Sequence, residues 1–295
     1  VSKEYQGLSS PRHNFNKLAT KKTGLQFVDI RNTNLCNLKC RYCGPHYSSQ
    51  WAQELSYSTN IQRQNIDQYK NLLITDSLHW MYFTGGEPLV NAEYWEMLES
   101  LIESDKSKNI SLMYHTNLST IQYKDKDIID IWQKFKKVTI NCSIDAIGKP
   151  LEYIRSGSNW SRIKSNIEKL NNVTNNSQIT LQLYVTVSIL NIWFLHDLVE
   201  YAKNCSILID INILTGPDYL ALDVIPDQLK SIAHHEIERL QNFLPTNVIK
   251  QLNSMIQNNI NQCLFQHTLN HILLLDSMRN EKLFELLPFK DIAMT

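Results

Sequence analysis

Six short runs with the alternation of β-strands, at 25–32, 79–84, 110–117, 137–145, 178–189 and 207–214, are separated by stretches with the period of helices. The helix-like stretches fall at 61–74, 92–104, 127–135, 160–172 and 191–204. Strict alternation of this kind predicts an α/β fold with a parallel sheet and right-handed crossovers, either open or curled into a barrel. Beyond Leu214 the chain reads as helices only, starting from "IPDQLKSIAHHEIERL". The expected organisation is an N-terminal extension over 1–24, a β/α region over 25–215 and a helical C-terminal region over 216–295. A chain of 295 residues has ample core for one barrel or two smaller domains.

The strands carry a second signal. In "TINCSID" Thr139, Asn141, Ser143 and Asp145 share one face, and Val138, Ile140, Cys142 and Ile144 the other. The pattern repeats in Thr180, Gln182, Tyr184, Thr186 and Ser188 against Leu181, Leu183, Val185 and Val187, and in Asp210 and Asn212 against Ile209, Ile211 and Ile213. A polar face on strand after strand does not suit the packed apolar interior of a closed eight-stranded barrel. It predicts a wet or liganded lumen; the alternative is an ordinary sheet with one solvated face, which is more typical of antiparallel sheets.

Composition then narrows the chemistry. Lys+Arg and Asp+Glu are 29 each, so the charge balance disfavours a nucleic-acid polymer as partner. No run approaches a membrane span and "VSKEYQGLSS" lacks the apolar core of a signal peptide, so the expectation is a soluble cytoplasmic protein with no membrane partner. In a reducing compartment clustered cysteines bind metal or do redox chemistry more often than they form disulfides. Three of the six cysteines, Cys36, Cys40 and Cys43, lie within "NLCNLKCRYCGPHYSSQW"; Cys142, Cys205 and Cys263 are scattered. Thiolates at this spacing suit either a four-ligand zinc site completed by His46 or an iron–sulfur cluster with one iron left open. The loop follows the first strand, and the second strand ends in "YFTGGEP", where Gly85 and Gly86 let backbone groups approach a ligand closely.

Together these segments resemble the radical S-adenosylmethionine (SAM) superfamily, whose signature Cys-x3-Cys-x-aromatic-Cys is matched by Cys36, Cys40, Tyr42 and Cys43 and whose Gly-Gly-Glu-Pro segment is matched by Gly85 to Pro88. The resemblance implies a partial (β/α)6 TIM-like barrel in which the three cysteines hold a [4Fe–4S] cluster and SAM chelates its open iron. It further implies that Gly85, Gly86, Glu87 and Pro88 contact the SAM amino group and that Tyr42 lies beside the adenine. "HTNLST" makes Asn117 a lumen residue, with Leu118 in place of the usual glycine; Asn191 becomes an adenosine contact. "SIDAIGKPLEYIRSG" is similar to the peptide-modifying branch, which assigns Ser143 and Arg155 to the SAM carboxylate or ribose and suggests a peptide substrate, a small metabolite being the alternative. The implied electron source is a one-electron donor such as flavodoxin or ferredoxin.

The C-terminal region resembles the twitch domains of this superfamily, which bind auxiliary clusters through further closely spaced cysteines. After Cys43 no such set exists, so one cluster is expected. No catalytic residue is assigned; Asp145, His115 and Asp210 are lumen candidates. Cys142 reads as a small buried hydrophobe. His267 and His271 share a helix face at i, i+4 but lack the glutamate of the protease zinc motif, and His234 and His235 cannot share one. Trp51, Trp80 and Trp95 are most simply core or rim residues.

Overall fold

The computed structural model describes residues 24–57, 73–174, 178–257, 262–282 and 287–289. The expected alternation is present. β1 (Phe27–Ile30), β2 (Trp80–Phe83), β3 (Ser111–Thr116), β4 (Lys137–Ser143), β5 (Ile179–Val187) and β6 (Leu208–Ile213) form one six-stranded, mostly parallel sheet in sequence order. β1 pairs parallel with β2, β2 with β3 and β3 with β4, with Ile30 opposite Phe83, Phe83 opposite Tyr114 and Tyr114 opposite Ile140. Sequential order with parallel neighbours is the curling half-barrel arrangement, and helices supply the crossovers.

The helices follow from their sequences. α2 (Ala92–Glu103) is capped by Asn91, whose side chain accepts from the Glu93 amide at 3.2 Å, and buries Tyr94, Trp95, Met97, Leu98 and Leu101 as one stripe. α3 (Ile128–Trp132) is capped in the same way by Asp127, and α5 (Trp160–Thr174) buries Ile163, Ile167 and Leu170 at helical spacing. α6 (Leu195–Asn204) precedes β6, and then come α7 (Asp227–Arg239), α8 (Thr246–Gln257) and α9 (Gln262–Arg279). Two short helices, α1 (Ser49–Glu54) and α4 (Gly148–Ile154), have no counterpart in the periodic pattern, because α1 carries only Trp51 and Ala52 as apolar residues and α4 opens with Gly148 and Pro150. The helix expected over 61–74 lies almost wholly outside the described residues.

The apolar strand face forms the core: Val138, Ile140, Cys142, Leu183, Val185 and Val187 are fully buried. Trp51 and Trp95 are buried too, while Trp80 is half-buried. The chain divides into two compact units. The first takes the described residues of Val1–Lys39, Cys43–Ser143 and Ser161–Gln182; the second takes those of Cys40–Tyr42, Ile144–Trp160 and Leu183–Thr295. Among the described residues no helix is long and apolar enough to cross a membrane.

Candidate functional site

In the first unit, the chain leaving β1 has no regular structure until α1, so side chains must fix its path. Asn32 donates to Glu93 at 2.9 Å and accepts from the Tyr94 hydroxyl at 2.6 Å. At the other end of the loop, Ser49 Oγ donates to the Cys36 carbonyl at 3.0 Å and accepts from the Cys36 amide at 3.1 Å, and Ser48 Oγ donates to the Leu38 carbonyl at 2.6 Å. Ser48 is also the N-cap of α1. The sequence signal for this pair is a serine N-cap before a short helix that buries Trp51 and Ala52, which periodicity alone missed.

Gly85 and Gly86 are where β2 meets this loop. A Cβ at Gly86 would lie 2.1 Å from the Leu35 carbonyl oxygen, and Gly85 has φ +105°. The close approach is therefore to the backbone of the cysteine loop. The Glu87 amide donates to Leu35 O at 2.7 Å and the Gly86 amide to Thr33 O at 3.3 Å. The Glu87 carboxylate is buried and turns inward: Oε1 accepts from Thr116 Oγ1 at 2.6 Å and the Leu89 amide at 3.0 Å, and Oε2 from the Asn117 amide at 2.6 Å. Pro88 opens the 3-10 turn that Glu87 caps. Asn117 in turn donates to Asn37 Oδ1 at 3.0 Å, and Asn37 donates to Ser119 at 2.7 Å. Leu118, where the resemblance leads one to expect glycine, takes φ +52°. The backbone thus keeps a left-handed turn with a side chain that is fully buried.

The second unit holds Cys40, Tyr42, Asp145, Arg155 and Asn191 around one buried carboxylate. Asp145 Oδ2 accepts from the Tyr42 hydroxyl at 2.6 Å and pairs with Arg155 Nε at 2.7 Å, and its Oδ1 accepts from the Thr186 amide at 3.0 Å. Side-chain exposure is 0% for Asp145 and 8% for Arg155, so the pair is fully desolvated. Arg155 Nη1 lies 3.8 Å from Cys40 Sγ. Burial opposes the Arg155 charge, but Asp145, Tyr42 and Cys40 outweigh it and hold its pKa well above the usual value. Burial, with Asp145 and Cys40 adding, pushes the Tyr42 phenol well up against the Arg155 charge, so it remains a neutral donor. Asn191 donates to the Asp145 carbonyl at 2.9 Å and accepts from the Ser188 amide at 2.7 Å. Asp145 and Asn191 are thus engaged on all sides within the protein.

The other lumen candidates separate. In the first unit, His115 Nε2 meets Asn141 Nδ2 at 2.8 Å, and Asn141 Oδ1 accepts from Gln182 Nε2 at 2.5 Å, a polar ladder crossing three strands. Asn141 and Gln182 are buried and His115 is half-buried. Ser143 sits half-buried at the C-terminal end of β4. In the second unit, Asp210 is half-buried on β6, and burial raises its pKa despite a backbone hydrogen bond from Ile211. His46 packs edge-on against Tyr57 at 5.5 Å. His267 stacks on Tyr219 at 4.2 Å, while His271 Nε2 donates to the Arg41 carbonyl at 3.1 Å. Among the described residues no three His, Cys, Asp or Glu side chains converge as ligands of one ion would. The cysteine loop presents Cys36 and Cys43 half-buried and Cys40 buried.

Comparison with known proteins places this geometry. The model of the radical SAM superfamily matches residues 30–202, more than half of the chain. A GTP 3′,8-cyclase of Campylobacter lari is 23% identical over 129 residues, 44% of this chain and 37% of that protein. A 7-carboxy-7-deazaguanine synthase of Thermoplasma acidophilum is 26% identical over 108 residues, 37% of this chain and 47% of that protein. The chain thus spans less than half the length of these curated relatives. Among solved structures, native anSMEcpe with bound AdoMet matches with a TM-score of 0.50 at 17% identity over 84% of this chain and 66% of that one. The same protein with bound AdoMet and Kp18Cys peptide gives 0.50 at 19% identity, over 80% and 63%. These structures share the fold, and members of the family use a [4Fe–4S] cluster and SAM. The chain belongs to the radical SAM superfamily.

Proposed function

We propose that Cys36, Cys40 and Cys43 hold a [4Fe–4S] cluster with SAM at its open iron, and that the chain abstracts hydrogen from a peptide. The chemistry of the donor set supports the fit. Three thiols on one loop match the three protein ligands of a cubane that keeps one iron open, and thiolates are the ligands such clusters take. Thr84 Oγ1, at the foot of the Gly85–Pro88 segment, and Asn34 Oδ1, on the cysteine loop, are both buried with no hydrogen-bond partner, as polar atoms facing a ligand would be. When bound, cluster and SAM supply one-electron chemistry, reductive cleavage to methionine and a 5′-deoxyadenosyl radical.

The protein's share is positioning and exclusion of water. Glu87 holds the ends of β2 and β3 in register beside the cysteine loop, and the Gly85 and Gly86 backbone lets that loop close on the strand end. Ser143 and Arg155 would bind the methionyl carboxylate or the ribose, and the Tyr42 ring would flank the adenine. Asp145 then aims Arg155 and Tyr42 instead of touching substrate. The polar ladder from His115 to Gln182 closes one part of the strand face with its groups paired, and Asp210, half-buried on β6, is a side chain that could meet substrate.

The observation that carries the reading is the cysteine loop seated against Gly85–Gly86. The resemblance of "SIDAIGKPLEYIRSG" to the peptide-modifying branch favours peptide, and the likeness to curated enzymes named for GTP and deazaguanine favours a nucleotide as second reading. The test is anaerobic incubation with SAM, dithionite and a deuterated cell extract separated into peptide and nucleotide fractions. Deuterium entering 5′-deoxyadenosine from the peptide fraction is expected. Deuterium from the nucleotide fraction alone overturns the peptide assignment, and no 5′-deoxyadenosine at all overturns the radical reading.

A further inference from the structure

Cys40 is followed by a residue that the proposed chemistry does not use. Arg41 is 1% exposed, and the loop around it has neither helix nor strand to hold it. Its Nη2 lies 2.6 Å from Asp276 Oδ1 on α9 and 2.5 Å from Glu281 Oε2 just beyond that helix. Its Nε donates to the Tyr153 carbonyl at 3.1 Å, and its guanidinium lies 3.5 Å from the centre of the Tyr153 ring on α4. The carboxylates are themselves fixed: the Tyr153 hydroxyl donates to Asp276 at 2.6 Å and Ser156 Oγ to Glu281 at 2.6 Å. The main chain is held as well. The Arg41 amide donates to the Ile154 carbonyl at 2.8 Å, and the Arg41 carbonyl accepts from His271 on α9.

We propose that α9 and Glu281 act as a clamp on the cysteine loop, with Arg41 as positioning residue, so that retention of the cluster depends on the C-terminal segment. The proposal rests on Cys40 being a cluster ligand. A buried arginine facing two carboxylates is a poor way to gain stability, because apolar side chains of similar volume do as well or better. What the network supplies is a fixed place for one short stretch of backbone, tied at both its amide and its carbonyl. The residue immediately before that stretch is Cys40. A ligand thiolate set on an unsupported loop would be free to leave the metal; this one is anchored by side chains 235 and 240 positions away.

The test uses the anaerobically reconstituted full chain and reads the rate of iron loss to a chelator, the electron paramagnetic resonance signal of the reduced cluster, and the denaturation midpoint of the apoprotein. Asp276→Asn combined with Glu281→Gln removes the charge but keeps acceptors for Tyr153 and Ser156. Iron should leave about tenfold faster or more, with a broadened cluster signal, from protein that is still folded; tenfold corresponds to about 1.4 kcal/mol. A neutral triple variant that adds Arg41→Met relieves the unpaired cation and covers the case in which the double variant fails to fold. Wild-type iron retention in whichever of these folds overturns the clamp. A wild-type chain that takes up no iron would instead overturn the cluster reading on which it rests, so the two failures are distinct.

Discussion

Gly86→Ala tests how the β2 end and the cysteine loop fit together. An added Cβ would stand 2.1 Å from Leu35 O, 2.6 Å from Leu35 C and 2.8 Å from Asn34 C, all backbone atoms that no side-chain rotation can move. Relief to a normal contact of about 3.5 Å needs the loop to retreat by about 1 Å or more. That displacement breaks the 2.7 Å bond from the Glu87 amide to Leu35 O and the weaker 3.3 Å bond from Gly86 to Thr33 O. Leaving the buried Glu87 amide unpaired costs about 1–3 kcal/mol and the second bond about 1 kcal/mol, so the sum is about 2–4 kcal/mol. A domain with a stability of about 5–15 kcal/mol would survive this folded but with its metal loop displaced. Gly44→Ala is the internal control, since nothing lies within 4 Å of its Cβ and its backbone is not left-handed. It should change stability by less than about 0.5 kcal/mol. Urea denaturation of the apoproteins, with iron per chain after reconstitution, reads both effects. Equal stability and equal iron for the two variants would refute the reasoning.

Other outcomes follow from the same contacts. Asp145→Asn leaves Arg155 buried without its counter-charge and should destabilise the apoprotein by about 3–5 kcal/mol in the same denaturation assay. Leu118→Gly relieves a left-handed backbone by about 1 kcal/mol but empties a fully buried site whose loss costs about 2–5 kcal/mol, so the net change should be destabilising despite restoring the family's residue. For His271, burial lowers the folded-state pKa below 6.5, with the charges of Arg41, His267 and Arg279 adding and the bond to the Arg41 carbonyl opposing. The folded state therefore favours the neutral ring: this contribution is complete above the unfolded pKa and is lost as pH falls from there towards the folded one. Denaturation midpoints of the apoprotein should drop as pH falls below the ordinary imidazole range, and His271→Gln should flatten that drop.

Most of the fold could be read from the chain because period-2 strands and period-3.6 helices leave long, redundant patterns. Every one of the six expected strands is present, and the short helices α1 and α4 escaped because Trp51 and Ala52 alone make no apolar stripe and Gly148 and Pro150 interrupt the other. The three cysteines and Gly85–Gly86 were equally plain, since spacing is a local property. Their supporting contacts were not. Glu87 acts on residues 29 and 30 positions away and Arg41 on partners more than 200 away, and no pattern along the chain marks such pairs. The polar strand face was visible, but alternation could not tell which of its groups pair with each other; Asn141 and Gln182 do. Asp145 read as a lumen residue because alternation was carried past the end of β4 at Ser143, whereas two of its three side-chain partners, Tyr42 and Thr186, lie 103 and 41 positions away.

The central claim is that three cysteines on one loop leave an iron open for SAM. Its most direct measurement is the electron paramagnetic resonance spectrum of the dithionite-reduced, reconstituted chain before and after addition of SAM, with metal content determined on the same sample. The account predicts about four irons per chain, a reduced-cluster signal that shifts when SAM is added, and both retained in His46→Ala. A colourless chain that binds one zinc and loses it in His46→Ala, or a cluster signal indifferent to SAM, would contradict it.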